Sequence, residues 1–401
     1  MDDRPSGRDE AQPYPAEPPS EPAPGVEGAE GGGADEEPLG EERIFVATQW
    51  QLMWWKFRRH KVALASAIIL IVIYLMSITC EFLAPYDPLV YDKRYFFAPP
   101  QRIGFVTKAG FTLRPVVYRY TIGYDENLLR VYKPDVEHAY PIHLFVHGNP
   151  YKMWGLVRTD LHLFGITDPD GTMFLLGTDR LGRDMLSRTL YGLRLSTSIG
   201  LVGVFLSFVL GILIGGFSGY YGGFFDTVVQ RIIEFVICMP QIPLWMGLSA
   251  ALPPHWPAVR VYFGITIILS LVGWTGLARV VRSKFLALRE EDFVMSARLI
   301  GARETRIVLK HMVPSFFSHI IASITMSVPG MILAETALSF LGLGLRPPAI
   351  SWGVLLQDAQ NIKAVAQAPW LLIPGVFVVV TVLAFNFLGD GLRDAADPYA
   401  R

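Results

Sequence analysis

The chain has 401 residues, 51% of them hydrophobic, and a formal net charge of −1; its mean hydropathy is +0.35. That near-neutral total hides an acidic end and a basic body. Residues 1–42 carry 13 Asp/Glu and 2 Arg, whereas residues 43–401 carry 33 Lys/Arg and 23 Asp/Glu. Two cysteines, Cys80 and Cys238, exclude a disulfide framework, and the sequence contains no G-x4-G-K-[ST], H-E-x-x-H or G-x-S-x-G motif to cradle nucleotide phosphates or carry those hydrolytic chemistries.

Residues 1–42 hold 8 Pro and 7 Gly and almost no large apolar side chains. Such a segment buries too little surface to offset its ordering entropy, which predicts a disordered acidic tail. Residues 43–61 change character. Trp50, Trp54, Trp55 and Phe57 lie among Lys56, Arg58, Arg59 and Lys61, the composition of an amphipathic helix at a membrane surface. The first apolar run starts only near Val62, too far in for a secretory signal.

Apolar runs of about 20 residues suffice to cross ~30 Å of hydrocarbon. They predict six spanning helices near 62–83, 195–217, 229–251, 261–281, 316–340 and 370–389. The basic cluster before the first run places the N-terminus in the cytoplasm. The cationic loop after the fourth run, with Arg282, Lys284, Arg289, Arg298, Arg303, Arg306 and Lys310, falls on the same side. The C-terminus then also returns to the cytoplasm.

Between the first and second runs, residues 84–174 form a long extracytoplasmic loop. Its part 97–174 has strand-like stretches such as VVYRYTIG and PIHLFVHG, and a loop this long without internal structure is uncommon. A small β-containing insert is expected. His138, His143, His147 and His162 all lie in it without compact zinc spacing, so no metal site is expected. Next comes GTDRLGRDM, in which Gly177, Asp179, Gly182, Arg183 and Asp184 precede the second run. Its charges fit either a solvated helix start or a salt-bridged ring at the outer mouth. Gly211 and Gly215 have the GxxxG spacing of close helix packing in lipid.

Glu234 and Glu335 stand out because acids within spanning segments are expensive and often functional. Glu234 follows Arg231 and is expected to pair with it, while Glu335 is a candidate pathway acid. In loop 282–315, a helical reading puts Phe293, Ala297 and Ile300 on one face, with Arg298 and Arg303 able to reach solvent or a partner. Gly301 and Ala302 then follow, Gly301 breaking the helix or admitting another backbone. A second short helix over 303–312 is expected to end before Pro314, which begins the next spanning segment.

The stretch FVMSARLIGARETRIVLKHMVP resembles the "EAA" loop of dipeptide/oligopeptide-type permeases of ABC importers. So do WWKFRRHKVALASAIILIV, LAPYDP, LLGTDRLGRDMLSRTLYGLRLS, GYYGGFFD, LAETALSFLGLGLRPPAISWG, APWLLIPG and GDGLRDAADP, in order over about 50–95 and 175–400. Two departures are visible. Met295-Ser296-Ala297 stands where the family usually has Glu-Ala-Ala, and about 80 residues separate LAPYDP from GTD where the family usually has a few tens.

The resemblance implies an all-α integral membrane protein with the type I ABC importer permease fold. Its five-helix core, within 175–401, would be preceded by one extra helix and here by the β-containing insert. It implies no enzymatic activity and no cofactor in this chain, ATP and Mg being used by one or two ATP-binding subunits docked on loop 282–315. A second homologous permease, an extracytoplasmic solute-binding protein and membrane lipid complete the expected partners, with no nucleic acid, in a bacterial inner membrane. The implied solute is a peptide or a similar small molecule. Oligosaccharides, opines and nickel are carried by related permeases, and a proton-coupled secondary transporter using an intramembrane acid is the alternative of another class.

Overall fold

The computed structural model describes residues 49–107, 110–126 and 130–396. The acidic segment 1–42 and residues 43–48 of the surface helix lie outside them. Helix α1, Gln49–Arg59, ends in Lys56, Arg58 and Arg59. Its Phe57 is buried against Ala63 and Ala395, while Trp54 and Trp55 stay exposed. His60 separates it from α2, Lys61–Ile78, and caps that helix by accepting the Ala63 N–H at 3.1 Å on Nδ1. Helix α2 has 18 residues, about 27 Å at 1.5 Å per residue, close to the hydrocarbon thickness. Its exposed side chains, Ile68, Ile71, Val72 and Leu75, are apolar, as a lipid-facing surface requires.

Helix α3 runs from Met185 to Tyr221, ten residues earlier than the apolar run predicts. The reason is local: the Asp184 carboxylate accepts the Ser187 N–H at 2.7 Å and so caps the helix. The helix pairs along its length with α6, Ala258–Leu288. Small residues permit the approach. A Cβ on Gly215 would lie 2.4 Å from the Ala278 carbonyl oxygen, and one on Gly211 would lie 3.0 Å from the Leu277 side chain.

One expected span is corrected. Instead of a continuous helix over 229–251, the chain forms α4, Gly223–Cys238, and α5, Gln241–Ala250, which meet at an 89° bend. Met239 is extended, as a residue before proline prefers, and Pro240 has no N–H with which to continue α4. Among the described residues, five helices are therefore long and apolar enough to cross a membrane, or six if the bent pair makes one broken span.

After α7, Asp292–Leu299, come α8, Phe317–Phe340, the short α9, Trp352–Leu356, and α10, Ile373–Ala396. Helices α3, α6, α8 and α10 enclose the largest apolar core, built around Leu193, Ile199, Leu269, Ile332 and Trp352.

The insert is β-structured, as its aromatic and β-branched content predicts. Strands β1 (Gly104–Thr107), β2 (Gly110–Tyr124) and β3 (Arg130–Pro141) form one antiparallel sheet. Strands β4 (His143–Met153) and β5 (Val157–Gly165) form a separate hairpin. Tyr95, Tyr120 and Phe174 give the insert its own small core, tying it to the segment leaving α2 and the segment entering α3. The insert's histidines are dispersed. His138 pairs with Asp135 at 2.8 Å and His147 with Asp160 at 2.9 Å, contacts that hold both carboxyls below their usual range. His162 lies between the Ala84 and Asn149 carbonyls.

Candidate functional site

Two groups of the residues singled out in sequence become compact sites, at opposite ends of the helices. The first is the loop around α7. Ile300 ends the helix and Gly301 adopts φ +74°, the left-handed region that glycine enters without steric cost. The Gly301 N–H donates to the Arg298 carbonyl at 2.9 Å and the Ala302 N–H to the Ala297 carbonyl at 3.1 Å. This pair of bonds is a Schellman motif, and Ala302 packs against the apolar cluster that contains Ala297. Around Gly301 there is open space: an added Cβ would meet nothing within 4 Å. The glycine is thus required by its backbone, and among the described residues no other backbone approaches it.

The expected face is corrected by one residue. Val294 and Ala297 point inward, onto Tyr220, Val281, Phe285 and Ile307, whereas Phe293 and Ile300 are exposed. Leu299 and Ile300 are 88% and 84% exposed, a pair of large apolar side chains projecting beside a rigid turn.

The floor under α7 is the end of α3, in the segment GYYGGFFD. Arg298 lies 4.9 Å from the Tyr220 ring centroid and donates from Nε to its hydroxyl at 3.3 Å. Tyr221 donates to Glu304. Gly222 then ends α3 at φ +65°, its N–H bonded to Ser218 at 3.0 Å. Behind it, Asp226 of α4 forms an ion pair with Arg282 of α6 and accepts from the Ser218 hydroxyl. A Cβ on Gly219 would lie 2.7 Å from the Arg282 carbonyl oxygen, so α3 and α6 cross in contact there. Loop 282–315 is therefore seated on the ends of α3 and α6, with α4 bracing α6 through Asp226.

Beyond Ala302 the expected single helix over 303–312 is replaced by a helical turn Glu304–Arg306, a wide π-type segment Ile307–Met312 and a turn Val313–Ser315. Pro314 sits inside that last turn. The break falls two residues later, at Phe316 (φ −123°), just before α8. Ile307, Val308, Met312 and Phe316 are all buried on the floor, three of them within the widened turn.

The second group precedes α3. Gly177 and Gly182 take φ +75° and +76°, and a Cβ on Gly182 would lie 2.0 Å from the Asp92 carbonyl oxygen. Between them Asp179 is buried. Its carboxylate accepts the Leu181 and Arg183 N–H groups at 2.8 and 3.0 Å and Arg183 Nε at 2.6 Å, and Arg188 Nε lies 3.4 Å away. Asp184 is buried as well, and burial pushes its carboxyl up to about 6. Arg180 reaches Asp358 at 3.0 Å, and Trp370 donates to the Thr178 carbonyl at 2.9 Å. Within this chain the motif is a buried ionic knot joining the insert, α3 and the loop before α10, and not a solvated helix start.

Glu234 pairs with Arg231 at 2.7 Å on an exposed surface, as expected. Glu335 is wholly buried. It accepts from the Ser196 and Ser339 hydroxyls at 3.0 and 2.7 Å, and those oxygens in turn accept the N–H groups of Trp352 and Leu345. Its neighbours in this structure are thus α3, α8 and α9. Sequence reasoning gave Arg282 a part in the topology alone and assigned no individual role to Tyr220, Tyr221 or Asp226. The signal for them was the glycine pair ending a long apolar helix with an acid four residues on.

The family described as "Binding-protein-dependent transport system inner membrane component" matches residues 211–401. That described as "N-terminal TM domain of oligopeptide transport permease C" matches residues 48–100. The dipeptide transport system permease protein DppC of Bacillus subtilis is 38% identical over 227 residues, 56% of this chain and 68% of that protein. The oligopeptide transport system permease protein OppC of Haemophilus influenzae is 40% identical over 226 residues, 56% of this chain and 70% of that protein. A solved inward-facing structure of the MetNI methionine ABC transporter aligns with 53% of this chain and 98% of its own, at 19% identity and a TM-score of 0.41. Given relatives matched over more than two thirds of their length at 38% and 40% identity, the chain belongs to the family of inner-membrane components of binding-protein-dependent transport systems.

Proposed function

We propose that this chain is one of two permease subunits of an ABC importer for peptides, driven by ATP hydrolysis in partner subunits and loaded by an extracytoplasmic binding protein. The observation that carries the coupling role is the exposed pair Leu299 and Ile300 beside the Schellman turn at Gly301. Contiguous large apolar side chains on a rigid, solvent-facing loop mark a protein contact. The floor supports transmission, because Tyr220 and Tyr221 of α3 hold Arg298 and Glu304, and Val281 and Phe285 of α6 share an apolar cluster with Val294 and Ala297. A push on α7 would thus move two long helices as levers. Peptide as the solute rests on the names of the relatives. Purifying the whole assembly with its binding protein and identifying the bound solute tests it. Recovery of a sugar, opine or metal in place of peptide would contradict that assignment.

In this reading both termini and loop 282–315 are cytoplasmic and the insert is external. Single cysteines at Thr121 and Glu304 are expected to label from opposite sides of intact cells, whereas labelling of both from one side contradicts the topology. The insert is assigned to the outer face, where it contacts the binding protein or covers the outer gate. Shortening 97–174 to a linker is expected to leave the ATP-binding subunits bound while weakening stimulation by loaded binding protein. Unchanged transport would make the insert dispensable, and loss of the ATP-binding subunits from a folded protein would refute its placement.

A further inference from the structure

The β4–β5 hairpin runs back along the chain that leaves α2. Near its base, His162 bonds to the Ala84 carbonyl at 2.6 Å. At its tip, the Trp154 indole N–H donates to the Ile78 carbonyl at 3.0 Å. Ile78 is the last residue of the spanning helix α2, so moving along the hairpin from base to tip moves toward the bilayer. The tip ends level with the edge of the hydrocarbon, since α2 is about as long as that layer is thick.

What the tip presents there is apolar. Trp154, Leu156 and Val157 are 55%, 85% and 63% exposed. Trp154 is held firmly, although a non-glycine residue at φ 53° is disfavoured. Its backbone N–H donates to Glu81, and the Arg194 guanidinium lies 4.8 Å from its ring centroid. One step up the hairpin, Lys152 and Arg158 are cross-strand partners, both exposed. Like charges placed opposite each other repel. The carboxylates nearest in the chain and at the tip, Asp160 and Glu81, are already paired with His147 and Arg194.

We propose that the β4–β5 tip is a lipid anchor that inserts Leu156 and Val157 into the leaflet on the insert's side, with Lys152 and Arg158 binding phospholipid phosphates above them. An indole at the interface, apolar groups below it and cations at headgroup depth form the order a bilayer selects. The anchor would fix the insert's height and tilt over the helices.

The test is collisional accessibility of a nitroxide on Leu156→Cys, in a background lacking Cys80 and Cys238, with the complete assembly in phospholipid nanodiscs. Val157→Cys serves as a second position if the first does not assemble. The expected ratio of oxygen to nickel-chelate collisions is several-fold above that of Thr167→Cys in the external loop and similar to that of Leu75→Cys, exposed on α2 within one turn of Ile78. Lys152→Glu with Arg158→Glu is expected to lower the ratio. A ratio equal to that at Thr167 overturns the proposal. Low accessibility to both reagents also overturns it, because the tip would then be covered by protein. No change with the double charge reversal overturns the headgroup contact.

Discussion

Replacing Gly301 with leucine is expected to abolish ATPase stimulation by loaded binding protein while the helices remain inserted and the subunits remain countable in the purified complex. At φ +74° a side chain other than glycine's is strained, by about 1–2 kcal/mol. That suffices to dissolve a local two-bond motif, though not the bundle beneath it. The turn at Arg298–Ala302 would then lose its Schellman bonds, and Leu299 and Ile300 their fixed projection. Because an added Cβ meets nothing in this chain, asparagine, which tolerates the left-handed region, is expected to keep much of the activity. Coupled activity in Gly301→Leu would remove the loop from transmission. Equal inactivity of Gly301→Asn would shift the cause from backbone conformation to a partner surface lying against the glycine.

The largest loss of stability is expected from Asp179→Ala. Its carboxylate accepts two backbone N–H groups and Arg183, and it is the acid beside the buried Arg188. Removing one member of a buried ion pair leaves a desolvated charge, at a cost of about 3–5 kcal/mol, a large share of the ~5–15 kcal/mol that stabilises a typical domain. The expected outcome is a clear drop in the thermal midpoint of the solubilised protein and poor recovery of assembled complex. Asp179→Asn keeps an acceptor oxygen without the charge and should fall between the two. A wild-type midpoint for Asp179→Ala would mean that the knot is solvated in the assembled transporter.

Much of this architecture was readable because membrane helices announce themselves by length and apolarity, whereas the sequence left Gly301 either to end a helix or to admit another backbone, and its φ of +74° favours the first. The β insert was readable from its Tyr- and Val-rich runs. Where the reading slipped, local chemistry or distant packing decided. The bend at Met239–Pro240 follows from a missing N–H that an apolar run conceals. The early start of α3 follows from Asp184 reaching Ser187, a cap that hydropathy does not register. The rotation of α7, which buries Val294 and leaves Phe293 outside, is set by Tyr220 and Phe285. Tyr220 is far away in sequence, and an eight-residue helix has too few turns for periodicity to settle its face. The seating of Arg298 on Tyr220 likewise joins two segments that no spacing rule connects.

The central claim is that the helices are moved by ATP through loop 282–315. Its most direct test is solute uptake by proteoliposomes holding the complete assembly, with and without ATP, before and after collapse of the proton gradient. The account predicts uptake that requires ATP and binding protein, is indifferent to the gradient and is lost in Gly301→Leu. Uptake driven by the gradient without ATP would contradict it and make this chain a proton-coupled carrier.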